Sequence, residues 1–387
     1  MHAGMPCTEQ ITQLVTRGEN ITRNGDSTYG FGSPPLARYG MEDEFVTRII
    51  QFLGRLKKEI DSYYSRLSER STNYEDLYYV ASQISDSEIG QIDNPVVQSF
   101  IVKVMPDIKP LFISKNYEVK KQWNIHDLAW ETTNYIEDVV WQVLSSKPTS
   151  LDYLHFIKDA CQDDLLADMN IFTLNHDRIL ELLLRADQGI PFTDGFSEPL
   201  NNVRRWNPDL FNCELYKVRL FKLHGSIDWF RIKPKGDDGS NQFIGIPVDW
   251  EYPSQSTMNQ QCGTILERIY CRPKILVGTF NKMLNYLEDI YANLFCLFYR
   301  HLSNAKRLVI SGYGFGDQGI NTRIIEWCDS SSDRKITIIH PDPMKLKAEA
   351  RGAVSVKLDA WPSRSKLEIL QKRIEDHVTW AEISDTF

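Results

Sequence analysis

Five polar clusters carry the residue types from which chemistry can be built: Thr173, Asn175 and Asp177; His224-Gly225-Ser226; Gly278-Thr279; Gly312 to Asp317; and His340-Pro341-Asp342. A histidine such as His224 takes or releases a proton near neutral pH, and closely spaced glycines let backbone approach a ligand. Together these groups suit a crevice that binds a polar ligand and holds one base. Singly, each has a plainer use. Asp177 can cap the helix that follows it, Asn175 can close a turn, a lone histidine is commonly structural, and Gly-x-Gly recurs by chance.

The elements before and after the clusters decide whether they meet. Ile171, Phe172 and Leu174 read as a short buried strand, so Asn175, His176 and Asp177 fall at a strand-to-helix turn. Arg219 to Leu223 reads as a half-buried strand ending in His224, Lys274 to Val277 as another, Arg307 to Ser311 as a third, and Lys335 to Ile339 as a fourth. Helical patterns separate them: Ile179 to Leu184, about Leu284 to Leu302, Ile320 to Trp327, and a closing helix from Lys366 to Trp380. Strand, polar loop and helix in alternation predict an α/β fold with a doubly wound parallel sheet. In such a sheet the strands' C-terminal ends share one edge, where ligands bind.

Residues 41–164 differ. Phe45, Ile49, Phe52, Leu56, Ile60, Tyr63 and Leu67 recur at three and four, and similar stripes follow as far as Leu154 and Ile157. Such stripes are packing surfaces, so this segment is expected to be an inserted helical module, with residues 1–40 and 165–387 forming the α/β core. Thr8 followed by Ile11, Leu14 and Val15 reads as a capped helix start, and Thr16 to Gly40 as a long surface loop. Gly30-Phe31-Gly32-Ser33 in that loop lacks both a preceding apolar strand and a following helix N-terminus that would hold a phosphate.

Composition narrows the class. The 387 residues carry a net charge of -8 with acids and bases interleaved, which argues against direct nucleic-acid binding. Seven scattered cysteines form no C-x-x-C pair, so neither zinc nor disulfides are expected and the set suits a reduced, cytoplasmic setting. No apolar run approaches the roughly 20 residues that span a bilayer, and the N-terminus lacks a signal-peptide layout.

Several of these residues carry a resemblance. Thr173-Leu174-Asn175-His176-Asp177 resembles the sirtuin Thr-Gln-Asn-Ile-Asp motif, and Leu223-His224-Gly225 the sirtuin Leu-His-Gly. Ala3-Gly4-Met5-Pro6 is similar to the second half of the sirtuin Gly-Ala-Gly-x-Ser-x-x-Ala-Gly-Ile-Pro loop. Gly312-Tyr313-Gly314-Phe315-Gly316-Asp317, with Ile320-Asn321, is more specific and resembles the sirtuin-like domains of bacterial antiphage defence systems, which replace the zinc ribbon with helices. Leu174 and His176 depart from the deacylase pattern. The chain also begins inside the nucleotide loop, so the Gly-Ala-Gly-x-Ser half is expected either to lie upstream of Met1, the favoured case, or to be lost in a truncated version of the protein.

The resemblance implies a Rossmann-like sirtuin core that takes NAD as its substrate and hydrolyses the nicotinamide–ribose bond, as an abortive-infection effector depleting NAD. It implies Asn175, His224 and Asp177 as catalytic residues: Asn175 fixing ribose and water, His224 as base, Asp177 on the carboxamide. It places Ala3, Gly4, Met5, Pro6, Thr173, Gly312, Gly314, Asp317 and Asp342 in the cofactor-binding set, with no metal. A homo-oligomer and a partner such as a HerA-type ATPase are implied for control, because the chain closes near Trp380 without a sensor domain. Two alternatives stand beside this: an NAD-binding but silent structural subunit, and a protein deacylase, which would need an apolar peptide cleft.

Overall fold

The computed structural model describes residues 4–31, 42–66, 70–87, 95–113, 123–186, 190–248, 266–278 and 286–386. The chain is mixed α/β and divides into two compact units, Met5–Ser146 with Val277–Asn281, and Lys147–Leu276 with His2–Gly4 and Lys282–Phe387. Among the described residues no helix is long and apolar enough to cross a membrane.

The first unit is mainly helical, with helices at Thr8–Arg17, Glu42–Tyr64, Tyr74–Asp86, Pro95–Ile108 and Ile125–Leu144. Asn73 and Asn124 cap two of them, each accepting from the second and third helical amides, and Asp76 and Asp127 complete reciprocal capping boxes. The stripe Ile49, Phe52, Leu56 and Ile60 is buried as its spacing predicts. It ends there, because Tyr63 is exposed, and Leu67 lies outside the described residues.

Within the expected loop over Thr16 to Gly40 the chain forms a hairpin, β1 (Ile21–Arg23) paired antiparallel with β2 (Tyr29–Phe31), while residues 32–40 lie outside the described residues. Its anchor is Tyr29, whose amide donates to Asp138 at 2.9 Å and whose hydroxyl donates to Glu131 at 2.6 Å. Arg23 donates to the same Glu131 carboxylate at 2.9 Å. These partners sit more than a hundred residues away on the helix Ile125–Leu144, so no local apolar pattern announces the hairpin. Burial first, then the neighbouring Glu131 carboxylate, raises the Tyr29 hydroxyl far above its ordinary range and keeps it a donor.

The second unit contains two three-stranded parallel sheets. One has the order β3 (Met169–Thr173), β6 (Val218–Lys222), β4 (Phe192–Thr193), and the other β10 (Arg307–Ser311), β11 (Lys335–Ile339), β12 (Leu367–Leu370). Both sheets are sandwiched by the same two apolar cores, and the period of two assigns each residue. Phe172, Phe221, Ile310, Ile338 and Ile369 face one core, which the helices Asp289–Asn304, Gln318–Asp329, Pro343–Glu349 and Ala353–Ala360 cover. Ile171, Leu220, Val309, Ile339 and Leu370 face the other, covered by His155–Gln162, Ile179–Arg185 and Trp380–Ser384. Strands buried on both faces, with helices above and below, are what a run of apolar residues such as Leu308 to Ile310 requires.

Four features of this unit depart from the sequence expectation. Arg219 to Leu223 is fully rather than half buried. Lys274 to Val277 is no ladder strand; Ile275 forms only an isolated bridge with Gly225. The closing helix expected over Lys366 to Trp380 is replaced by β12, parallel to β11 from Leu367 to Leu370, with a short helix only at Trp380–Ser384. Leu-Glu-Ile-Leu fits either period over so few residues, and the open edge of β11 supplies hydrogen bonds that override local helix preference. An antiparallel sheet, order β5 (Val203–Arg205), β8 (Phe243–Pro247), β7 (Phe230–Pro234), β9 (Leu266–Arg268), also interrupts the alternation.

One packing contact makes stability depend on pH. His301 lies in the last turn of Asp289–Asn304 with its ring 5.0 Å from that of Phe221. Burial, then the charges of Arg300 and Arg219, push its pKa down to about 4. The unfolded chain, with an ordinary histidine near about 6.5, therefore binds this proton first as pH falls. Stability contributed by neutral His301 is full above about pH 6.5 and declines toward pH 4. In urea titrations at pH 7.5 and 5.0, His301→Gln is expected to lose less of its midpoint than the parent. An equal loss in both proteins would refute this origin of the acid sensitivity.

Candidate functional site

The turn after β3 is built by its own side chains. Thr173 Oγ1 accepts from the Asn175 amide at 3.1 Å, and Asp177 Oδ1 accepts from the Ile179 amide at 2.9 Å. Asp177 thus engages the start of the helix Ile179–Arg185, while Asn175 is exposed. His176, between them, turns inward and is buried.

A buried cation holds this turn from below. Lys222, at the end of β6, donates to the Asp177 carbonyl and, at 2.9 Å, to Glu181. Burial raises the Glu181 carboxyl above its ordinary range; Lys222 opposes this and Asp228 adds to it. Replacing one member strands the other. Lys222→Met is expected to destabilise the protein by about 3–5 kcal/mol, and Lys222→Met with Glu181→Leu to recover most of that. Urea unfolding of the two variants checks this; a double variant as unstable as the single would contradict it.

The strand ladders bring the next cluster alongside. Leu223 donates its amide to the Thr173 carbonyl at 3.0 Å, and the Ile227 amide donates to the His176 carbonyl at 3.1 Å. Between them the chain reverses at Gly225, whose φ of +80° favours glycine. A Cβ there would lie 2.1 Å from the Lys274 carbonyl oxygen, so the chain can pass only without one. This turn sets the His224 and His176 rings 6.2 Å apart.

His224 is 3% exposed, and the loop after β10 reaches it. Its Nε2 lies 2.6 Å from the Tyr286 hydroxyl and 3.1 Å from Asp317 Oδ2, while the Tyr286 hydroxyl donates to the same Asp317 oxygen at 2.7 Å. Asp317 Oδ1 accepts from the Ile320 amide at 3.1 Å and caps the helix Gln318–Asp329. Burial would raise this carboxyl, but hydrogen bonding and charge from His224, with bonds from Tyr286 and Ile320, hold it well below the usual carboxylate range.

Side chains of the same loop fix its shape. Tyr313 donates from its hydroxyl to Asn321 Oδ1 at 2.7 Å, and Asn321 Nδ2 donates to the Phe315 carbonyl at 2.8 Å. Burial, then the nearby Asp317 charge, pushes the Tyr313 hydroxyl above its ordinary range, so it stays protonated. Gly312 has φ +67°, and no described atom lies within 4 Å of a Cβ built on Gly312, Gly314 or Gly316. The loop backbone is accordingly open to a ligand along its glycines.

Of the residues singled out from sequence, the structure joins His224 to Asp317 and sets His176 beside them; Gly312 and Gly314 belong to the same loop as Asp317. Asp342 serves elsewhere, capping the helix Pro343–Glu349 through the Lys345 amide at 2.9 Å. Gly4 has φ +72°, and a Cβ there would come within 2.7 Å of Thr149. Met5 and Pro6 belong to the helical unit, and Ala3 and Thr279 lie outside the described residues. Among the described residues no three His, Cys, Asp or Glu side chains cluster as metal ligands.

Sequence reasoning missed Tyr286 and the bracing role of Tyr313 and Asn321. The latter two stand inside the motif Gly312 to Asn321 and were open to notice. Tyr286 stands 31 residues before Asp317, with no spacing to mark it.

Grouped by chemistry, the site offers a buried imidazole hydrogen-bonded to a carboxylate, a phenol shared between them, a glycine loop and an exposed carboxamide on a neighbouring strand end. No protein-family model and no curated protein sequence matches this chain.

Proposed function

We propose that the chain is an NAD hydrolase with a Rossmann-like, doubly wound sirtuin-type core. The observation that carries this reading is the convergence of strand ends: the His224 turn of β6 bonds to both the His176 turn of β3 and the Asp317 loop of β10. The two clusters with the sirtuin-like motifs and the loop with the defence-type motif are thereby adjacent. NAD enters as substrate, its phosphates and ribose lying along the open backbone of Gly312 to Gly316.

The reaction breaks the bond between ribose C1′ and the nicotinamide nitrogen, whose electron pair leaves with nicotinamide. A water oxygen then bonds to C1′ of the oxocarbenium-like centre and gives up a proton. His224 accepts that proton, Asn175 fixes the ribose and the water, and Asp177 meets the carboxamide through whatever its helix-capping bond leaves available. The products are ADP-ribose, nicotinamide and a proton. In its setting the enzyme would act in the cytoplasm as an abortive-infection effector, as a homo-oligomer and under a defence-system partner such as a HerA-type ATPase.

A second reading, an NAD-binding but silent subunit, is favoured by one detail: the Asp177 carboxylate already serves the Ile179 amide. Release of nicotinamide from NAD without any acylated peptide supports hydrolysis. Binding of NAD in calorimetry with no release supports the silent subunit, and release only with an acyl-lysine peptide would overturn both in favour of deacylation.

A further inference from the structure

Resting on the reading of His224 as the base, we propose that Asp317 and Tyr286 form an orienting relay that fixes the proton of neutral His224 on Nε2 and leaves Nδ1 as the proton-accepting nitrogen. The hydrogen-bond inventory leads there. Asp317 is an acceptor only, and its Oδ2 already receives the Tyr286 hydroxyl hydrogen at 2.7 Å. The phenol has a single hydrogen, so the phenol oxygen facing Nε2 at 2.6 Å acts as an acceptor too. Two acceptors on the Nε2 side call for a hydrogen on Nε2. A neutral imidazole then keeps its basic lone pair on Nδ1, and on taking the proton it becomes a cation beside a buried carboxylate.

Asp317 is thus a positioning residue rather than a ligand of NAD, since both its oxygens are engaged by the protein. Among the described residues, His176 has its ring 6.2 Å from that of His224, and the Tyr291 hydroxyl lies near Gly225. Asp317 is the carboxylate in hydrogen-bonding range of the ring, with Oδ2 3.1 Å from Nε2. Tyr286 is held by stacking on Phe295 with centroids 4.6 Å apart, which keeps its hydroxyl between the two partners.

Asp317→Asn tests the relay with little change in shape. Asn caps as well as Asp, so its oxygen retains the Ile320 amide, and its NH2 then faces Nε2 as a donor. In ¹⁵N NMR of histidine-labelled full-length protein, with His224 assigned by its loss in His224→Gln, the parent is expected to show the Nε2–H tautomer. Asp317→Asn should show the Nδ1–H tautomer and an imidazolium pKa lower by about one unit or more. Tyr286→Phe should retain the Nε2–H tautomer, and kcat for nicotinamide release should fall by about 10²-fold or more in Asp317→Asn with little change in KM. An unchanged tautomer and titration in Asp317→Asn would overturn the relay even if the parent hydrolyses NAD. An Nε2–H tautomer in the parent that flips in Asp317→Asn, with no nicotinamide release by the parent, would uphold the relay and overturn the hydrolase reading instead.

Discussion

His224→Ala is expected to lower nicotinamide release from NAD by about 10²–10⁴-fold, the usual contribution of a positioned general base. His224 is buried against Asp317, so the alanine variant also removes one of that carboxylate's hydrogen bonds, leaves a cavity and loses stability. His224→Gln removes that ambiguity, because its side-chain amide can donate to Asp317 yet accepts no proton at neutral pH. Comparable loss in both variants points to the base. Asn175→Ala is the complementary test. Asn175 is exposed, so truncation should leave thermal unfolding almost unchanged, within about 0.5 kcal/mol, while NAD consumption collapses. Parent-like consumption in Asn175→Ala and His224→Gln would sink the assignment of the site.

Gly225→Ala should have the largest effect on stability for a change of one methyl group, about 3 kcal/mol or more. Two costs combine: a positive φ that disfavours any side chain, and a Cβ placed 2.1 Å from the Lys274 carbonyl oxygen and 2.9 Å from the Tyr291 hydroxyl. Gly236→Ala separates them. Gly236 has nearly the same φ, +81°, but no described atom within 4 Å of its Cβ, so it should cost only about 1 kcal/mol. Moving the Lys274 segment away would also carry His224, whose carbonyl accepts from Leu276 at 2.8 Å, and displace its ring from Asp317. Gly225→Ala is therefore expected to lower nicotinamide release by about 10²-fold in the fraction that folds. Equal melting curves for the two alanine variants would show that the close approach carries no cost.

Much of the α/β unit was legible because its signals are local. Met169 to Thr173, Val218 to Lys222, Arg307 to Ser311 and Lys335 to Ile339 are strands where short, largely apolar runs end in polar turns. The helices of the first unit were announced by stripes such as Ile49, Phe52, Leu56 and Ile60. Errors fell where a distant partner decides. The Tyr29 hairpin depends on Glu131 and Asp138, and Leu367 to Leu370 becomes a strand because β11 has an open edge.

For the site the division is sharper. The sequence pattern places Asn175, His224 and the Gly312 to Asp317 loop each directly after a strand, and β3, β6 and β10 stand there, divided between two three-stranded parallel sheets rather than one. Which of them touch depends on packing between elements. It paired His224 with Asp317, set Tyr286 between them, gave the Asp177 carboxylate to a helix amide and sent Asp342 to cap a different helix. Hydrogen bonds act over about 3 Å, whereas sequence pattern places a residue only to within an element. The identity of a buried base's partner is therefore fixed by packing across 93 residues of chain and not by any motif.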